Sequence, residues 1–124
     1  MKHALAFIVA LMLIGSAVAQ HKHGDKGPNG GPMEDIAGVH AELMVSGNTL
    51  TINVFDEDSK PVPTKGFLGA ALIVAGADKE TVSLSPSGQS ALKAEAKKPI
   101  ATGAAITLTL KTASGKSGQA KFRK

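Results

Sequence analysis

The chain has 124 residues, 43% of them hydrophobic, with fourteen Lys and Arg against ten Asp and Glu for a net charge of +4. It contains no cysteine, tryptophan or tyrosine, which excludes disulfides, thiolate catalysis, iron–sulfur clusters and Cys-based zinc sites and leaves no Trp or Tyr platform for stacking bases or sugars. The positive charge is small and diffuse, a balance that argues against a nucleic-acid partner.

Residues 1–19 read as a secretory signal peptide. Lys2 supplies the positive start, and Ala4 to Ile14 is an apolar run of eleven residues. A bilayer span needs about 20 such residues. Ala17-Val18-Ala19 presents small side chains to signal peptidase, so the mature chain is expected to begin at Gln20. No cysteine follows the run to carry a lipid, which points to a periplasmic protein that is not an integral membrane protein after cleavage. Loss of nineteen residues, Lys2 among them, leaves 105 residues with net charge +3, enough for one domain with a modest core. The expected division is 1–19 signal peptide, 20–33 flexible arm and 34–124 folded domain, a monomer.

Gln20 to Pro32 holds His21, His23, Asp25, Asn29, glycines and prolines, with nothing apolar to bury, and is expected to be disordered or loosely pinned. From Val39 the pattern alternates: Val39, Ala41, Leu43 and Val45 on one face, His40, Glu42 and Met44 on the other. Gly47-Asn48 is a two-residue hairpin turn that pairs Val45 with Leu50, Leu43 with Ile52 and Ala41 with Val54. Asp56 to Pro61 is a charged turn, and Val62-Pro63 belongs at an edge or bulge. Phe67 to Ala75 reads as a central strand buried on both faces, though Ala70-Ala71-Leu72 also suits a helix. Further strands are expected at Thr81–Ser85, at Leu92–Ala96, around Ile106, Leu108 and Leu110, and around Ala120 and Phe122, with turns at Gly76-Ala77-Asp78, Pro86-Ser87-Gly88 and Ser114-Gly115-Lys116. About seven short strands imply an all-β fold, a single antiparallel β-sandwich of immunoglobulin-like type.

Two groups of residues nominate a metal, most plausibly copper. At the new amino terminus, Gln20-His21-Lys22-His23 offers a free amine, amide nitrogens and two imidazoles, donors that suit tetragonal Cu(II). On the outer face of the first long strand stand His40, Glu42 and Met44. Same-face neighbours lie about 6.5–7 Å apart, so His40 and Met44, about 13 Å apart, cannot share an ion directly. Met33 or the arm histidines would have to complete the sphere. The expected metal set is His21, His23, His40, Met33 and Met44.

Other patterns fail. Gly115-Lys116-Ser117 lacks the upstream glycine of a phosphate loop, where Leu110 stands, and Asp56-Glu57-Asp58 lacks the glycine and distal glutamate of an EF-hand. No G-x-S-x-G or H-E-x-x-H occurs, and an enzyme is not expected. Gly27-Pro28-Asn29-Gly30-Gly31, followed by Gly38-Val39-His40-Ala41-Glu42-Leu43, resembles a segment of small uncharacterised exported proteins of Gram-negative bacteria. More distantly it is similar to the N-terminal region of heavy-metal efflux adaptor (membrane-fusion) proteins. The resemblance implies a β-sandwich in an envelope metal-homeostasis context, with a metal efflux component as partner. The helical hairpin, lipoyl-like and barrel portions of an adaptor are absent, so channel docking does not carry over. The expected function is a periplasmic metal-binding protein. The alternative is a metal-free accessory domain that meets an envelope partner through a sheet edge or the basic residues Lys111, Lys116, Lys121, Arg123 and Lys124.

Overall fold

The computed structural model describes residues 25–124. They form eight strands: β1 (Met33–Ile36), β2 (Val39–Ser46), β3 (Thr49–Phe55), β4 (Leu68–Ala75), β5 (Asp78–Ser87), β6 (Ala91–Glu95), β7 (Ala105–Lys111) and β8 (Ser117–Arg123). All neighbours are antiparallel, in the order β1-β2-β3-β6-β5-β4-β7-β8. The two edge strands, β1 and β8, lie beside one another, so the sheet is nearly closed into a barrel. The all-β antiparallel expectation holds, but the strands form one continuous sheet of eight rather than two facing sheets of about seven. The β2–β3 hairpin stays within that sheet, whereas an immunoglobulin arrangement separates its second and third strands between two sheets.

Alternation sets the interior. Leu43, Leu50, Ile52, Leu92, Ile106, Leu108 and Leu110 are fully buried, with Ala41, Val54 and Ala71 between them. The β2–β3 register is the expected one: Val45 faces Leu50, Leu43 faces Ile52 and Ala41 faces Val54. Gly47, at φ 59°, supplies the left-handed conformation of the turn. The charged turn after β3 is closed by Asp56, whose Oδ1 accepts from the amides of Asp58 and Lys60, both at 2.9 Å. The Gly115-Lys116-Ser117 stretch turns β7 into β8, closed by the amide of Thr112 donating to the carbonyl of Lys116 at 2.8 Å.

Three departures from the sequence reading have physical causes. The additional strand is β1, whose inward positions are Glu34 and Ile36; one apolar residue gives no period-two signal. β4 is central, yet only one face is buried: Leu68 is 65% and Leu72 38% exposed on the outside of the barrel. A closed sheet buries its inner face alone, so the apolar run overstated burial. β5 does not end at Ser85. It leaves β4 after Leu84 and pairs Ser85, Pro86 and Ser87 with β6, so one long strand belongs to both halves of the barrel. Pro86 falls where β5 changes partner, a position at which a missing amide is tolerated.

The links β3–β4 and β6–β7 cross opposite ends of the barrel, since β3 leaves from Phe55 and β6 leaves from beside Thr49. The first is fixed by the buried Thr64, whose hydroxyl donates to the carbonyl of Ala91 at 2.9 Å. The second is fixed by the Ile100 amide, which donates to Gly47.

Candidate functional site

The outer face of β2 is not an open surface. Its central residue, Glu42, has no exposure at all, because the loop Gly27–Gly31 folds over it. The carboxylate accepts four hydrogen bonds: from the Asn29 amide at 2.8 Å, the Asn29 side-chain amide at 2.8 Å, the Gly31 amide at 3.0 Å and the Asn53 side-chain amide at 3.5 Å. A buried carboxylate surrounded by donors is strongly held, whereas one without them would be expelled. The glycines are required by this approach. A Cβ on Gly27 would lie 2.5 Å from the Glu42 carboxyl carbon, and one on Gly31 would meet Met44 Sδ at 2.6 Å and the Leu43 carbonyl closer still.

The described part of the expected arm, residues 25–33, is therefore built into the sheet. Lys26 bridges Pro32, the Gly27 amide donates to the Gly31 carbonyl at 2.7 Å, and the Met33 amide donates to the Asp25 carbonyl at 2.9 Å. The apolar content that a disorder argument looks for is absent, but polar satisfaction of Glu42 supplies the docking instead. The two halves of the Gly-rich motif, Gly27–Gly31 and Gly38–Leu43, are thus joined by one carboxylate, a structural reason for the motif.

The candidate ligands fall as follows. His21 and His23 lie outside the described residues. Met33, His40 and Met44 share the outer face: Met33 stands opposite Glu42, His40 opposite Asp35 on β1 and Phe55 on β3, and Met44 opposite Thr51. Met33 is thereby a diagonal neighbour of both His40 and Met44, at roughly 7–8 Å in such a ladder. Glu42 is not available to a metal, since its oxygens are committed to the loop. The partner that sequence alone did not reveal is Asp35, whose Oδ1 is in contact with His40 Nδ1. Its side chain is 83% exposed and that of His40 28%. Only the β1–β2 register brings the two together, and β1 had no sequence signal. Among the described residues no three of His, Asp and Glu converge as a ready-made metal cluster.

Elsewhere the polar groups serve structure. Glu80 accepts the Lys97 amide on both oxygens at 3.0 Å, holding the β6–β7 link. No buried side-chain nitrogen or oxygen among the described residues lacks a partner. Comparison with protein-family models, curated proteins and solved structures finds no match to this chain.

Proposed function

We propose that the protein is a small periplasmic metal-binding protein, for copper in particular, that takes part in envelope metal homeostasis without being an enzyme. The observation that carries this reading is the Asp35–His40 pair. A histidine that ligates a metal through one ring nitrogen commonly donates the other to a carboxylate, which fixes the tautomer and the ring's orientation. Here Nδ1 is held by Asp35, and Nε2 is the nitrogen left for a ligand. Met33 and Met44 add soft thioether donors on the same face. The resemblance to efflux adaptors points to the same compartment and the same class of cargo.

The test is calorimetric titration of Cu(II) into the protein purified from periplasm. One equivalent bound, with affinity lowered about tenfold or more in His40→Ala, supports the reading; no binding, or binding indifferent to every histidine, overturns it. The second reading, a metal-free interaction domain, draws on the outer stripe of β4, where Leu68 and Leu72 are exposed. Deletion of residues 20–24, which leaves the Lys26–Pro32 bridge in place, separates the two. Copper binding suffers under the first reading, and partner recovery stays unchanged under the second.

A further inference from the structure

The loop that covers Glu42 holds two neighbours able to react with each other. Residues 27–31 form a tight hairpin: the Gly30 amide donates to the Gly27 carbonyl at 2.9 Å and the Gly27 amide to the Gly31 carbonyl at 2.7 Å, with Pro28 and Asn29 at the centre of the turn and Gly30 left-handed at φ 84°. Asn29 precedes a glycine, whereas Asn48 and Asn53 precede Thr49 and Val54. Glycine has no side chain to shield its amide nitrogen, and that nitrogen is one ring closure away from the Asn29 side-chain carbonyl carbon. A β-branched follower crowds the same approach. Asn29 and Gly30 are both exposed, and a Cβ on Gly30 would meet no atom within 4 Å, so base and water have access to them. In the closed loop the two reacting groups are kept apart. Asn29 gives its backbone amide and its Nδ2 to the one Glu42 carboxylate, each at 2.8 Å, which turns its side chain back along its own amide and away from Gly30. The Gly30 N–H is meanwhile spent on Gly27.

We propose that Asn29-Gly30 is a self-modification site governed by Glu42: each opening of the loop exposes Asn29 to cyclisation, and conversion of its amide to an acid leaves the loop unable to close again. In the open loop the Gly30 nitrogen, having given its proton to hydroxide, attacks Asn29 Cγ. The bond from Gly30 N to Cγ forms and the Cγ–Nδ2 bond breaks, the departing nitrogen taking a proton from water and leaving as ammonia. Water then adds to either carbonyl of the succinimide ring and opens it, giving aspartate or an isoaspartate whose main chain runs through Cγ. The sequence is an amide exchange followed by hydrolysis, with water the sole co-reactant. Neither product fits the closed loop. Aspartate replaces a donor to Glu42 with a second carboxylate, and like charges at one site oppose each other. Isoaspartate lengthens the main chain inside a turn whose two backbone bonds set its span. Closure protects Asn29, so the reaction draws on the open fraction of the loop, and it turns a reversible opening into a permanent one.

The experiment incubates the purified protein and its Glu42→Gln variant at neutral and mildly alkaline pH, folded and in guanidinium chloride, and follows conversion at Asn29 by peptide mass mapping that resolves aspartate from isoaspartate. Hydrogen exchange at the Gly31 amide, which donates to Glu42 at 3.0 Å, and trypsin cleavage after Lys26 report whether the loop is shut. Exchange at the Leu108 amide, in the middle of β7, verifies that the barrel is intact in the variant, and the comparison of folded with denatured parent stands without it. The folded parent is expected to convert at least about tenfold more slowly than the denatured chain, and Glu42→Gln, which lacks the charged acceptor, at least about tenfold faster than the folded parent. The rate should rise with pH, because Gly30 must lose a proton, and isoaspartate should be among the products. In guanidinium chloride, where no loop remains to perturb, Gly30→Ala should convert more slowly than the parent, the mark of attack by the residue 30 nitrogen. Converted protein should have lost Gly31 protection and be cut faster after Lys26. Equal rates in folded and denatured parent, indifferent to Glu42→Gln, would overturn control by the loop. An inert Asn29 in the denatured chain would overturn the chemistry itself, and converted protein with parental Gly31 protection would overturn the permanent opening.

Discussion

At the scale of single residues, the arrangement turns on one buried acid. Glu42→Ala removes the acceptor for two backbone amides and the Asn29 side chain, and unsatisfied donors of this kind cost about 1–3 kcal/mol each before the loop relaxes to water. A loss of about 2–4 kcal/mol is expected in urea unfolding followed by circular dichroism, together with faster proteolysis ahead of Met33. Gly31→Ala should destabilise by about 1–3 kcal/mol, because its Cβ overlaps the Leu43 carbonyl and Met44 Sδ; a melting temperature equal to the parent's would contradict the packing described. The sequence placed His40, Glu42 and Met44 on one face correctly, but period-two alternation separates faces only by polarity. It cannot show that an outward acid is covered by a loop thirteen residues upstream. Asp35 was invisible as a partner for the same reason: its contact with His40 exists only through cross-strand register.

Among the elements, the hairpins were the most legible and the edge the least. Val39 to Val54 announced its strands, its turn and its register together, since side-chain alternation and Gly47-Asn48 constrain the same pairing. β1 offered no such agreement, having four residues with an inward glutamate. β4 showed a limit of a different kind, for an apolar run reports hydrophobicity on both faces while closure buries one. Two predictions separate those faces. Leu108→Ala, in the centre of β7 and fully buried, should cost about 2–5 kcal/mol. Leu68→Lys, on the outer side of β4, should change stability by no more than about 0.5 kcal/mol and raise solubility by breaking an exposed apolar stripe. Equal losses in the two variants would mean that β4 is covered in solution.

For the whole molecule, ligand binding and stability are linked. If one Cu(II) binds the folded chain only, metal at a hundredfold above its dissociation constant adds about 2.7 kcal/mol, a rise in melting temperature on the order of 10–20 °C for about 100 residues. A thermal melt with and without Cu(II) checks this, and the rise should shrink when residues 20–24 are deleted. The single nearly closed sheet was not legible from the sequence beyond its all-β class, because strand order depends on which distant edges meet. That order has a consequence for the time the chain needs to find its fold. The hairpins β2–β3, β4–β5 and β7–β8 join neighbours in sequence and can zip within microseconds, but the ladders that unite them, Thr49 with Glu95 and Leu68 with Lys111, must wait for long loops to close. Refolding should accordingly take milliseconds to seconds, limited by the arrival of β6 and β7 rather than by any turn. Stopped-flow circular dichroism, the practical probe for a chain without Trp or Tyr, should show both Leu92→Ala and Gly47→Ala slowing refolding, the second with little change in unfolding because its hairpin is already formed when β6 arrives.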